Sequence, residues 1–136
     1  MQDLARLFSV LSEPSRLRAL ALLLEHAELC ACALSKTLLL GPTKTGALIR
    51  SLESRGLVET RREREAERDC LFVRLASHER LGADQRLVVS MLRCLLPGER
   101  AAEIERRFEA WDARRKQTGT RCVVCCCKKA GCGRRR

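Results

Sequence analysis

The sequence contains no apolar run that approaches the roughly 18–20 residues needed to cross a bilayer, so it predicts no membrane segment. Its first residues, MQDLARLFSVL, lack the basic start and the uninterrupted apolar stretch of a secretory signal. Histidines number only two, and no glycine-rich phosphate loop, cysteine–histidine pair or carboxylate pair stands out. These absences disfavour an enzyme and lead us to expect a cytoplasmic protein.

The sequence contains enough apolar residues to form a packed core, and its charge is unevenly distributed along the chain. A hydrophobic fraction of 46% over 136 residues is enough to build one domain with a short extension. Residues 112–136 contain nine lysines and arginines against one acidic residue, so they carry +8 of the net charge of +10. A net positive charge of this size favours a polyanionic partner, although most of the charge lies in the C-terminal segment.

Helical periodicity dominates the first half of the chain. An apolar stripe over residues 4–11 marks a first helix. Ser12 is the expected N-cap of a second helix, which is apolar almost all round and is therefore expected to be buried. A short helix over 31–39 and a helix over 43–55 follow, and Gly56 stands where a C-terminal cap is expected.

The second half predicts a hairpin and two further helices. Strands over 57–60 and 70–75 flank a charged connector, RREREAERD, whose Glu/Arg spacing would also support a helix. Apolar stripes mark the two helices, first Val88, Met91, Leu92 and Leu95, then Ala101, Ile104, Phe108 and Trp111. We interpret the last stripe as a dimer seam that pairs with the first helix. Folding of that stripe onto the chain's own core is the alternative.

This order of elements predicts a mainly α fold with a small β-hairpin, namely a dimeric winged helix-turn-helix. The expected DNA-binding domain covers residues 1–98. A dimerisation helix is expected over 99–116, and residues 117–136 form a basic, cysteine-rich tail that we expect to be disordered.

A winged helix-turn-helix places its second helix in the major groove of double-stranded DNA and its hairpin on the flanking backbone. The candidate DNA contacts are therefore Thr43, Lys44, Thr45 and Arg50 on the groove helix, with Arg61, Arg62 and Arg64 on the connector. Acidic residues in the connector cancel much of its charge, so a merely solvated hairpin is the alternative for these arginines.

Three segments resemble the ArsR/SmtB family of metal-sensing repressors: LSEPSRLR at 11–18, ELCAC at 28–32 and RGLV at 55–58. The likeness covers roughly residues 3–96, and the ELCAC element is similar to the sensing box of the arsenite/antimonite and cadmium/lead branches. The resemblance implies a homodimeric repressor that leaves its operator when metal occupies the thiolates. The chain departs from the family pattern at Ser35, where a third cysteine is usual, and at residues 46–49, which read GALI.

Cys30 and Cys32 are the candidate metal ligands, and Cys70 is the candidate third ligand. Because residues i and i+2 lie on different sides of an α-helix, the pair can meet one ion only at or before a helix start. Soft thiolates favour As(III) or Sb(III) as inducer, with Cd(II), Pb(II) or Zn(II) as alternatives. Burial as small apolar residues is the competing interpretation for all three cysteines.

Five further cysteines crowd the tail, at positions 122, 125, 126, 127 and 132. An auxiliary metal or redox trap, a nonspecific DNA-binding arm and an inert extension all remain open for this segment. A thiol-redox regulator on the same fold is the chief rival to metal sensing.

Overall fold

The computed structural model describes residues 2–65, 68–95 and 99–118, which form six helices and three strands. In chain order they are α1 (Gln2–Leu11), α2 (Pro14–Glu25), β1 (Leu29–Cys30), α3 (Ala31–Leu38), α4 (Pro42–Ser54), β2 (Val58–Glu65), β3 (Arg68–Leu75), α5 (Ala83–Leu95) and α6 (Glu99–Thr118). The cysteine-rich tail beyond Thr118 lies outside the described residues, and so do the three interpretations of it.

The hairpin prediction is confirmed, because most of the charged connector is strand. β2 and β3 pair antiparallel in a register that runs from Val58 opposite Leu75 to Glu65 opposite Arg68. β1 is a two-residue strand that the sequence analysis missed, and it pairs antiparallel with the other edge of β3, so the sheet order is β1-β3-β2. The Glu/Arg spacing that also suited a helix is overridden by this pairing.

Helix α2 is the central helix, as its apolar composition predicted. Leu20 and Leu22 are among its fully buried side chains, and α2 packs against α1, α3, α4, α5, α6 and β3. The expected cap is wrong: the N-cap residue is Glu13, whereas the Ser12 hydroxyl donates a hydrogen bond to the Ser9 carbonyl 2.7 Å away. Pro14 occupies the first turn, where its missing N–H costs no helical hydrogen bond.

The helix-turn-helix unit consists of α3, a tight turn and α4. Leu39 ends α3 in the left-handed conformation, with φ of 57°. Gly56 follows α4 as its predicted C-terminal cap, with φ of +69°. The Gly56 N–H donates to Glu53 O and the Leu57 N–H donates to Leu52 O, a Schellman arrangement that satisfies the last carbonyls of α4.

The predicted last helix exists, but its apolar stripe is buried within one chain. Helix α6 packs against α3 and α2, and Ile104, Phe108 and Trp111 are all buried. The Phe108 ring stacks on the His26 ring with centroids 3.8 Å apart. The structure therefore shows the alternative, in which the stripe covers the protomer's own core. A role of α6 in a dimer stays a prediction, and it would involve the outer surface of the helix.

Helix α5 instead carries three of the large exposed apolar side chains. Val88, Val89 and Leu92 face the core, while Leu87, Met91 and Leu95 are 72%, 39% and 69% exposed. The last three stand four residues apart and so share one face of the helix. Among the described helices, none combines the length and the apolar composition that crossing a bilayer requires.

Candidate nucleic-acid interface and buried thiols

The outer face of α4 carries the polar side chains that the sequence analysis assigned to DNA. Thr43, Lys44 and Arg50 are exposed, whereas Leu48, Ile49 and Leu52 anchor the opposite face in the core. Because the apolar residues fix the rotation of the helix, its basic residues can only point outward. The exposed face is therefore presented rigidly.

Thr45 does not belong to that exposed face. Its side chain is buried, and its hydroxyl donates a 2.9 Å hydrogen bond to the Gly41 carbonyl one turn earlier. The Gly41 carbonyl also accepts the Thr45 backbone N–H at 2.9 Å, so the hydroxyl adds a second hydrogen bond to the same acceptor. The structure thus gives Thr45 a structural role in the turn and leaves it out of reach of a ligand on the helix surface.

The hairpin separates its arginines onto two faces of the sheet. Alternation along β2 places Arg62 and Arg64 on one face, and both are exposed. Arg61 lies on the opposite face, opposite Phe72 of β3. The three arginines are therefore not equivalent, although the sequence presents them as one basic run.

Arg61 is held by acidic side chains of the protein. Its Nη2 and Nε donate to Glu28 Oε1 and Oε2 at 2.6 and 2.9 Å, its Nη1 donates to Glu63, and its guanidinium carbon lies 4.7 Å from the Phe72 ring centroid. The hydrogen bonds that Arg61 donates to Glu28 and, less strongly, to Glu63 raise the pKa of its guanidinium above the ordinary value. This arginine is charged and already paired with carboxylates.

The three candidate thiols all lie in the core, each about 1% exposed. Cys30 is both the last residue of β1 and the N-cap of α3, and Cys32 lies in the first turn of that helix. The pair therefore lies at a helix start, as convergence on one ion would require. Cys94, by contrast, is exposed.

Strand register brings Cys70 toward the cysteine pair. Cys30 is paired with Phe72, and Cys70 is two residues from Phe72, so Cys30 and Cys70 project from the same face of the sheet. Three thiols suit a soft metalloid ion in kind. Within the described residues, however, no three Cys, His, Asp or Glu side chains are close enough to hold a metal ion. Binding would require the first turn of α3 to open.

Two acidic residues with clear roles were missed by the sequence analysis. Glu28 was noted only as part of the ELCAC motif, yet it forms the bidentate pair with Arg61. Glu59 binds Arg74 at 2.9 Å and Arg80 at 3.3 Å, which ties β2 to β3 and to the loop after β3. Opposite charges at the correct cross-strand register would have indicated the Glu59–Arg74 pair, but nothing in the sequence links Glu28 to Arg61.

No protein-family model and no curated protein matches the chain at a significant level. Two solved structures from Mycobacterium bovis are similar to it. One is the solution NMR structure of the homodimeric winged helix-turn-helix DNA-binding domain (fragment 1–100) of Mb0332, described as a possible ArsR-family transcriptional regulator. It is 26% identical over 70% of this chain and 79% of that chain, with a TM-score of 0.53.

The other is the crystal structure of a possible transcriptional regulatory protein (fragment 1–100). It is 25% identical over 71% of this chain and 94% of that chain, with a TM-score of 0.51. Together with the order of elements, the helix-turn-helix unit and the hairpin described above, these similarities establish that the chain has a winged helix-turn-helix fold.

Proposed function

We propose that the chain is a homodimeric, DNA-binding transcriptional repressor that leaves its operator when a thiophilic metal or metalloid binds. The winged helix-turn-helix architecture, with an outward-facing polar surface on α4, is the observation that carries the DNA-binding part. The similarity to a homodimeric DNA-binding domain supports the same assignment.

Helix α4 is the part that enters the major groove. Lys44 and Arg50 supply positive charge on its exposed face, and the Thr43 hydroxyl adds a donor and acceptor for bases or phosphates. Arg62 and Arg64 on the hairpin contact the backbone of the flanking DNA. The GALI segment of α4 offers no polar base-reading group, so we expect backbone contacts to contribute most of the affinity.

The dimer forms through α5 and not through the buried stripe of α6. Leu87, Met91 and Leu95 form an exposed apolar row, and a second copy would cover the same row on its partner. Phe8 of α1, half-exposed, adds a further apolar side chain to the surface. Burial of the α5 row in a symmetric interface gives the two α4 helices a fixed spacing on DNA.

The inducer binds Cys30, Cys32 and Cys70, and As(III) or Sb(III) is the preferred class. The support is the donor type, the common sheet face of Cys30 and Cys70, and the position of Cys32 in the first turn of α3. Gathering the thiols requires that turn to open. Since α3 packs directly against α4, the same movement disturbs the DNA-reading unit.

The test begins with selection of tightly bound duplexes from a random library under reducing conditions. Anisotropy of a labelled selected duplex then follows release by arsenite, antimonite, cadmium, lead or zinc. The wild-type chain should bind at low salt and be released by arsenite or antimonite. Failure to bind any duplex would contradict the DNA-binding proposal, whereas release by oxidant that reductant alone reverses would favour the thiol-redox alternative.

A further inference from the structure

The guanidinium of Arg61, on the hairpin, faces a short run of the chain outside the hairpin. Two of its N–H groups donate to the two carboxylate oxygens of Glu28, at 2.6 and 2.9 Å. Glu28 directly precedes β1, and its side chain is 17% exposed. A carboxylate thus occupies the planar fork of this arginine in a bidentate arrangement.

An arginine that contacts a phosphate of DNA uses the same fork of N–H groups. Carboxylate and phosphate oxygens both match the parallel N–H groups of a guanidinium, so the two compete for one arginine. Glu63 binds the remaining Nη1, and the Phe72 ring lies against the guanidinium. All three guanidinium nitrogens of Arg61 therefore donate to carboxylates of the protein, although the side chain is 42% exposed. Arg62 and Arg64 project from the other face of the hairpin.

We propose that Glu28 withholds Arg61 from the DNA backbone and thereby limits the number of phosphates that the hairpin contacts. The inference rests on the proposed DNA-binding function and concerns a residue that sequence patterns do not assign to it. Glu28 is then a positioning residue, because it acts on DNA only through Arg61. Removal of its charge should release one additional phosphate-binding group per chain.

Salt dependence of DNA affinity measures this number directly. Each phosphate contact adds about −0.9 to the slope of log K against log salt concentration for duplex DNA. For each Arg61 released, affinity should fall about 3.5-fold more between 50 and 200 mM salt than it does for the wild type. Because phosphate contacts are independent of sequence, a mixed-sequence 30-base-pair duplex serves as the probe.

Four variants of the full chain separate the proposal from a simple change of net charge. Glu28→Gln keeps the shape of the side chain and should steepen the slope by about 0.9 per chain. Glu25→Gln is the matched control, because it removes the same charge three residues away along the chain. The Glu25 side chain forms no ion pair within the described residues. Arg61→Met keeps an aliphatic stem over Phe72 and, as a single substitution, should leave the slope at the wild-type value. In the double variant Glu28→Gln/Arg61→Met, the slope should return from the steeper value to that of the wild type.

The outcomes are distinct. Equal slopes for Glu28→Gln and Glu25→Gln would overturn the proposal while leaving DNA binding intact. A flatter slope for Arg61→Met alone would also overturn it, because Arg61 would then contact DNA despite Glu28. Absence of duplex binding by the wild-type chain at 50 mM salt would contradict the proposed function itself, and this inference would fall with it. Circular dichroism of each variant verifies that the helices remain folded.

Discussion

Shortening Phe108 to alanine examines the assignment of α6 to the core of a single protomer. Phe108 is 9% exposed, its ring stacks on His26 with centroids 3.8 Å apart, and it contacts Trp111 in a tilted arrangement at 5.7 Å. Truncation of a buried phenylalanine typically costs about 3–5 kcal/mol. Because Phe108 retains some exposure, we expect a loss at the lower end of this range, about 3 kcal/mol. Since a domain is stable by only about 5–15 kcal/mol, the variant should stay folded but unfold at a clearly lower urea concentration.

Urea denaturation followed by circular dichroism, at two protein concentrations tenfold apart, measures this loss. Phe8→Ala is the matched control, because Phe8 is 50% exposed and its truncation should cost less than about 1 kcal/mol in the dilute sample. The loss for Phe108→Ala should be the same at both concentrations, as expected for packing within one chain. A loss under about 1 kcal/mol, or one that disappears on dilution, would refute the burial of α6 on its own protomer.

Three further substitutions test separate parts of the structure. Thr45→Val removes the buried hydroxyl that bonds Gly41, so urea denaturation should show a loss of about 1 kcal/mol while DNA affinity stays unchanged; a loss of affinity with unaltered stability would restore Thr45 as a DNA contact. Gly46→Ala should raise the free energy of unfolding by about 0.5–1 kcal/mol, because a Cβ there meets only the flexible end of Arg50, 3.2 Å away; a destabilised variant would show that Arg50 cannot move aside. Met91→Glu should shift sedimentation toward monomer with the helical content retained, and a variant that remains dimeric would place the interface away from α5.

Much of the fold was predictable because its signals are local. The Gly56 cap depends on a left-handed backbone conformation that glycine favours, and it was predicted. Strand β1 was missed because two residues carry no periodicity, and its existence depends on pairing with β3. The destination of the α6 stripe also depends on tertiary packing, since an apolar row fits a partner and the chain's own core equally well.

The candidate site was predictable in composition and less so in geometry. Lys44 and Arg50 lie on the exposed face of α4, where the spacing of apolar residues put them. Thr45 and Arg61 were assigned to DNA by their residue type, but one bonds a backbone carbonyl and the other is paired with Glu28. Such partners come from distant positions in the chain or from the local turn, and residue type alone does not distinguish them from surface contacts. The predicted metal ligands stay a prediction.

The most direct test of the account measures release of a selected duplex by arsenite under reducing conditions, with wild-type chain and Cys30→Ala side by side. Alanine is chosen because Cys30 is about 1% exposed, and a serine hydroxyl would be costly in that apolar position. The account predicts that both proteins bind the duplex and that arsenite releases only the wild type. Release of both proteins at the same arsenite concentration, or of neither, would contradict sensing by the thiols at the start of α3.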